Sequence, residues 1–241
     1  MKIFNNLYGL IISQENLLYS WDRFKKGKRK KKDVGLFEYH LEQNLLELHR
    51  DLKDKTYRHK LYFGFYISDP KVRHIHKATV RDRVVHHAIF KILNPLFEPL
   101  FIHDSFSCRL GKGNHVGMKR LEVMTRKVSK NYTHPCFVLK CDIKKFFDSV
   151  DHEILLNLLT KRISCPNTIL LLREVIGSFS ASESLFEKRG LPIGNLTSQL
   201  FANVYMNELD QFMKHKLRVK HYARYTDDFV MVADSPGYLE S

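Results

Sequence analysis

Two adjacent carboxylates stand in Tyr225-Thr226-Asp227-Asp228, between the apolar, aromatic-rich runs Val219 to Tyr225 and Phe229 to Ala233. Side-by-side aspartates repel each other, so a tight turn presenting both calls for a cation between them and an anion beyond. Mg²⁺ meets that need: it is a hard ion, held by one or two protein carboxylates together with substrate phosphates. Taken alone, such a pair is more often an ordinary turn, because Asp bonds its own backbone there. A second acid-bearing strand changes the balance.

That strand is Cys136 to Ile143, with β-type residues at Phe137, Val138 and Leu139 and with Asp142 near its carboxyl end. Ser149 or Asp151 then suits the N-cap of a helix with Ile154, Leu155, Leu158 and Leu159 at helical spacing. If the strand lies beside the hairpin, Asp142, Asp227 and Asp228 converge. Three carboxylates can share two Mg²⁺ ions about 3.5 to 4 Å apart, an arrangement that stabilises the attacking and leaving oxygens of phosphoryl transfer. For Asp148 and Asp151, capping is the better reading.

The elements that must position these acids belong to a chain of 241 residues, long enough for one large domain or two small ones, with 44% hydrophobic residues to build a core. Lys and Arg number 40 against 26 Asp and Glu, a net charge of +14 that suits a phosphate backbone. A basic ribosomal or membrane-surface protein would carry the same charge. Cys108, Cys136, Cys141 and Cys165 form no CxxC pair and no amino-terminal signal segment is present, so reduced thiols in a cytoplasmic protein are expected. No apolar run approaches the roughly 20 residues that cross a bilayer, so no membrane partner is expected. His74, His76, His86 and His87 lack a matching pair at zinc-finger distance, and partly exposed histidines are the expectation instead.

Residues 25–32 form the strongest charge run and read as a mobile basic arm between helical segments. Leu41, Leu45, Leu46, Leu48 and Leu52 give Leu36 to Leu52 a helical period. Leu61 to Ile67 and Val72 to His76 read as strands of a basic hairpin joined by Ser68-Asp69-Pro70-Lys71. Thr79-Val80-Arg81-Asp82 has capping-box form ahead of a helix burying Val84, Val85, Ala88, Ile89, Ile92 and Leu93, interrupted at Asn94-Pro95. The glycine-containing loop Ser107 to His115 lacks the order of a P-loop. A helix is expected from about Pro166 to Ile176. Gly190 to Gly194 then precedes the longest helical pattern, with Leu200, Phe201, Val204, Tyr205, Leu209, Phe212 and Met213 on its apolar side. Glycines before a bare helix N-terminus create a close-approach surface suited to a nucleotide or phosphate, or simply turn the chain.

In order, Lys71-Val72-Arg73, Arg81-Asp82-Arg83, Asp142-Ile143-Lys144-Lys145-Phe146-Phe147, Gly190-Leu191-Pro192-Ile193-Gly194 and Tyr225-Thr226-Asp227-Asp228 resemble a reverse transcriptase, an RNA-directed DNA polymerase, from about residue 10 onward. The stretch Leu191 to Tyr205 is similar to the enzymes of diversity-generating retroelements. The related group II intron enzymes usually have Gln where Ile193 stands and Ser-Pro where Ser198-Gln199 stands. The resemblance implies an α+β right-hand polymerase fold, fingers and an antiparallel palm sheet packed on helices. It divides the chain into an N-terminal helical segment with the basic arm (1–60), fingers (61–135) and palm (136–241, with finger-contributing helices at about 151–188). The chain stops soon after Asp228, so no thumb is expected, as in a fragment or a truncated product.

By the same resemblance, Asp142, Asp227 and Asp228 hold two Mg²⁺ ions, with the Ile143 carbonyl as a further ligand, and Lys71 and Arg73 hold the incoming triphosphate. Phe147 matches the position whose ring excludes a ribose 2′-hydroxyl, which implies a DNA product; an ordinary core phenylalanine is the alternative. Ile193, beside Gly194 in the nucleotide-binding turn, replaces a polar residue and implies errors opposite template adenine. The implied partners are an RNA template, a DNA or RNA primer, deoxynucleoside triphosphates and a small basic accessory protein. Rival readings are a silent nucleic-acid-binding relative, a metal-dependent nuclease, and a group II intron or phage-defence reverse transcriptase.

Overall fold

Thr79 starts the longest helix: its hydroxyl accepts the Asp82 amide at 3.3 Å, and the Asp82 carboxylate, fully buried, accepts the Tyr57 hydroxyl at 2.8 Å and the Lys60 amide at 3.3 Å. A computed structural model describes residues 2–68, 72–181 and 188–240. Along the chain run helices α1 (Leu7–Ile12), α2 (Gln14–Lys25), α3 (Lys32–Tyr39) and α4 (Leu41–Lys53), then strands β1 (Phe63–Ser68) and β2 (Val72–Lys77). Helices α5 (Val80–Phe97) and α6 (Asn114–Val128) lead to strand β3 (Phe137–Cys141). Helices α7 (Phe146–Ser149), α8 (His152–Thr160), α9 (Pro166–Gly177) and α10 (Leu196–Gln211) follow, then strands β4 (Tyr222–Tyr225) and β5 (Asp228–Ala233) and helix α11 (Pro236–Glu240).

The chain forms two compact units, Met1–Leu96 with Phe147–Phe201, and Phe97–Phe146 with Ala202–Ser241. In the first, Trp21, Phe24, Leu48, Leu52, Val84, Ala88 and Ile89 are buried. β1 and β2 pair antiparallel, from Phe63 opposite Lys77 to Ser68 opposite Val72. In the second, the strand order is β3-β5-β4, all antiparallel. Phe106, Met124, Ala223 and Val232 pack one face of this sheet with α6, and Met213, Val219 and Tyr222 pack the other with Leu209, Phe229 and Met231. Cover on both faces explains why β5 is apolar at consecutive positions from Phe229 to Ala233 instead of alternating. These are the expected antiparallel sheets packed on helices.

Several elements depart from the sequence expectation. The basic run forms a short folded turn between α2 and α3. Gly27 takes φ +71°, Lys28 Nζ donates to the Phe24 carbonyl at 2.9 Å, and Arg29 pairs with Glu38 at 2.9 Å. Leu36 to Leu52 breaks at His40, so that α3 turns Phe37 onto Trp21, ring centroids 5.1 Å apart, while α4 buries Leu48 and Leu52. α5 continues through Pro95 to Phe97, which makes it longer than α10, at 18 residues against 16. A proline so near the end of a helix forfeits one backbone hydrogen bond without breaking the turns that follow. Asp151 caps α8 by accepting the Glu153 and Ile154 amides, whereas Asp148 lies inside α7. Ile154 and Phe212 are about half exposed, because the buried face of α8 is Leu155, Leu156 and Leu159, and the helix beyond Gln211 widens into a π-helical turn. Among the described residues no helix is long and apolar enough to cross a membrane, and the four cysteines form no disulfide.

Candidate metal centre and nucleotide-contacting residues

Tyr225 pairs with Asp228 across the β4–β5 hairpin, so Thr226 and Asp227 form a two-residue loop. Such loops need a positive φ at their first central position. Thr226 supplies it, at φ +59°, although a β-branched residue is strained there by roughly 1–3 kcal/mol. Two hydrogen bonds hold it: Thr226 Oγ1 donates to Ser107 Oγ at 2.7 Å, and Arg224 Nη1 donates to the Thr226 carbonyl at 2.7 Å.

β3 meets β5 with Lys140 opposite Val230 and Cys141 opposite Phe229. The β3–β5 pairing ends there: Asp142 directly follows Cys141, and Asp228 directly precedes Phe229. Lys140 Nζ lies 3.7 Å from Asp228 Oδ1, an exposed pair of little energetic weight. Asp142 and Asp228 are exposed and Asp227 is half-buried. The register therefore brings all three predicted acids to one end of one sheet.

Among the described residues no three His, Cys, Asp or Glu side chains are already close enough to enclose an ion. The donors here are carboxylate oxygens on a firmly registered backbone. Oxygen donors of that kind suit a hard divalent cation such as Mg²⁺. The Ile143 carbonyl accepts the Phe146 amide at 3.2 Å and keeps its second lone pair. A cavity of about 140 Å³ beside Asp228 is lined by Tyr225, Phe106, Gly117 and Met118.

The predicted nucleotide contacts lie in the other unit. Arg73 is exposed on β2, and Lys71 lies outside the described residues. The Ile193–Gly194 turn docks on β2: the His76 amide donates to the Ile193 carbonyl at 3.1 Å, and Asn195 Nδ2 donates to the His76 carbonyl at 2.9 Å. Gly194 has φ +107°, and a Cβ there would lie 3.0 Å from Ile75 Cγ2. Ile75 shares a strand face with Arg73. Phe147 is half-buried, and its carbonyl accepts the Leu191 amide at 2.6 Å. Arg73, Phe147, Ile193 and Gly194 are thus joined through two adjoining backbone seams.

The glycine segment differs from expectation in what it approaches. Gly190, at φ +114°, sits against its own chain: a Cβ would lie 2.9 Å from Ala181 Cβ. Nor is the start of α10 bare, since Asn195, Thr197 and Ser198 are all buried. Thr197 Oγ1 bonds His86 Nδ1, and His86 Nε2 meets His59 Nε2 at 3.1 Å. His59 Nδ1 faces the Lys60 carbonyl, so it carries the proton; His86 Nε2–H then donates to His59, and Thr197 donates to His86. His86 is therefore a buried core histidine, not a partly exposed one. Burial, then the nearby His59, His87 and Arg83, hold its pKa down to about 3. His74 stacks on Tyr66 with centroids 4.5 Å apart, and Gly64 leaves the space that ring occupies.

Residues with no counterpart in the sequence reading are Arg224 and Asp210, an ion pair buried under the acid-bearing turn. Arg224 directly precedes the Tyr225 motif, but its partner lies on another element, beyond the reach of local pattern.

A family model described as reverse transcriptase (RNA-dependent DNA polymerase) matches residues 67–241. The group II intron-encoded protein LtrA of Lactococcus lactis subsp. cremoris is 26% identical over 177 residues, 71% of this chain and 28% of LtrA. Protein YkfC of Escherichia coli (strain K12) is 26% identical over 151 residues, 62% of this chain and 39% of that protein. The chain spans 16% and 39% of the lengths of the first two curated relatives it matches. A chain of a partial Cas6-RT-Cas1–Cas2 complex superposes over 95% of this chain and 38% of its own length, with a TM-score of 0.52 and 22% identity, a likeness of fold. With ordered motifs, an antiparallel acid-bearing sheet and a family match over most of its length, the chain belongs to the reverse transcriptase (RNA-dependent DNA polymerase) family.

Proposed function

We propose that this chain is the nucleotidyl-transfer core of an RNA-directed DNA polymerase that copies a primed RNA template into cDNA. One observation supports the reading: the last β3–β5 pair, Cys141 with Phe229, is followed by Asp142 on one strand and preceded by Asp228 on the other, with Asp227 in the adjoining β4–β5 turn. Asp142, Asp227, Asp228 and the Ile143 carbonyl would hold two Mg²⁺ ions. When bound, such ions activate the primer 3′-hydroxyl and offset charge on the departing pyrophosphate. Arg73 and Lys71 orient the triphosphate, Arg73 by a planar fork that matches phosphate oxygens. Phe147 excludes the 2′-hydroxyl by its bulk. The protein's share is then positioning and charge placement more than covalent work.

Ile193 and the Leu191 to Tyr205 stretch support a diversity-generating retroelement enzyme that errs opposite template adenine, since an aliphatic side chain removes a hydrogen-bonding group from the nascent pair. A group II intron role is the second reading, favoured by the likeness to LtrA. A small basic accessory protein remains part of the first reading.

Extension of a primed RNA template with deoxynucleotides and Mg²⁺ tests both levels. The chain should extend the primer, Asp227→Ala should fall to the background without protein, and Ile193→Gln should lower misincorporation opposite adenine. Equal extension by the chain and Asp227→Ala would overturn the polymerase reading. An unchanged error spectrum in Ile193→Gln would remove only the retroelement assignment.

A further inference from the structure

Arg224 and Asp210 both have side chains at 0% exposure. Every guanidinium N–H has an acceptor. Nε donates to Asp210 Oδ1 at 2.8 Å, and Nη2 to Asp210 Oδ2 at 2.7 Å and Ser105 Oγ at 3.1 Å. Nη1 donates to Asn203 Oδ1 at 3.4 Å and to the Thr226 carbonyl at 2.7 Å. Around this fork, Tyr222 donates to Asp210 Oδ1 at 2.8 Å, and Asn203 Nδ2 donates to the Ser107 carbonyl at 2.9 Å. Ser107 Oγ in turn receives Thr226 Oγ1. The Arg224 backbone is clamped as well, its amide on the Asp104 carbonyl and its carbonyl under the Phe106 amide, each at 2.9 Å.

Desolvating two charges is costly, and well-packed apolar residues commonly stabilise a core as well as a buried ion pair does. The pair therefore needs a reason besides stability. What an apolar pair could not supply is a donor aimed at the Thr226 carbonyl, in the strained loop that precedes the two acids. The geometry points to Arg224 as a positioning residue: Asp210 fixes the plane of the guanidinium, and its remaining Nη1 hydrogen holds the Thr226 peptide so that Asp227 and Asp228 face a divalent cation. This inference rests on the reading that those aspartates bind metal. Lysine cannot substitute, because three donors at one point cannot span the carboxylate and the loop carbonyl together.

The test uses Arg224→Lys and the triple variant Asp210→Leu/Tyr222→Phe/Arg224→Met, which replaces the polar cluster with apolar volume. Folding is followed by circular dichroism and thermal melting, Mn²⁺ binding by electron paramagnetic resonance, and primer extension by Mg²⁺ titration. Both variants should melt cooperatively yet bind Mn²⁺ about ten- to a hundredfold more weakly, the size expected when a hydrogen bond supporting metal ligands is removed. High Mg²⁺ should restore much of the Arg224→Lys turnover. A folded triple variant that binds Mn²⁺ like the parent would reduce the pair to a structural role and overturn the proposal. If the triple variant does not fold, parental Mn²⁺ affinity in Arg224→Lys overturns it equally. Parent protein that binds Mn²⁺ no better than Asp227→Ala/Asp228→Ala instead removes the metal-site reading itself, a result distinct from the other two.

Discussion

Phe147 and Thr226 illustrate how much one side chain is asked to do. Phe147 has its backbone tied to Leu191 and its ring half-buried, so the ring is placed by the chain around it and not by a fully enclosing core. If it screens the sugar, Phe147→Ala should lower the preference for a deoxynucleotide over its ribonucleotide by about ten- to two-hundredfold, the range for adding or removing small volumes at a binding wall. The ratio of kcat/KM for the two substrates reads this directly, and a parental ratio in the variant would return Phe147 to the ordinary core. Thr226 is strained, and its two hydrogen bonds offset that strain. The acids at 142, 227 and 228 drew notice because turn residues and runs of β-type residues are local signals. Arg224 was not. Its meaning depends on Asp210 and Ser105, which sequence distance hides and only packing reveals.

At the scale of elements, local rules read both hairpins and most helices, and failed where tertiary contacts outweigh them. The Thr79 cap, the Asp151 cap and the two-residue turn were visible as residue types at short spacing. The break at His40 and the passage of α5 through Pro95 were not, since each is settled by what the flanking turns bury. The same applies to the bond from α5 to α10 through His86 and Thr197, residues far apart in the chain. Burial of His86 and His87 predicts a pH dependence. His86 and His87 have folded-state pKa values lowered to about 3 and about 4, so between those values and about 6.5 the unfolded chain binds more protons than the folded one. Stability is then fully present above about pH 6.5 and declines as pH falls toward 4, by up to about 1.4 kcal/mol per pH unit for each histidine. Denaturant midpoints at pH 7 and pH 5, for the parent and His86→Gln, check this. The variant should lose less on acidification, and an identical loss would show that His86 does not carry the effect.

For the whole molecule the dominant quantity is charge. A net +14 attracts any polyanion. If RNA is the template, its affinity should fall about a thousandfold or more between 50 and 200 mM salt, as for a protein making some six to ten phosphate contacts. Fluorescence anisotropy with a labelled primed RNA measures the slope, and a flat response would argue against backbone-dominated binding. Asp227→Ala should leave that slope in place while abolishing extension, which separates grip from chemistry.

The His76 main chain grips the Ile193 turn from both its amide and its carbonyl, and Gly194 leaves no methyl to hold the two surfaces apart. The β1–β2 hairpin and the turn are therefore cast as a single lever. Any swing of that hairpin must carry Ile193 with it, so if Ile193 sets copying accuracy, a mutation at the strand should shift the error spectrum without touching the base pair being made.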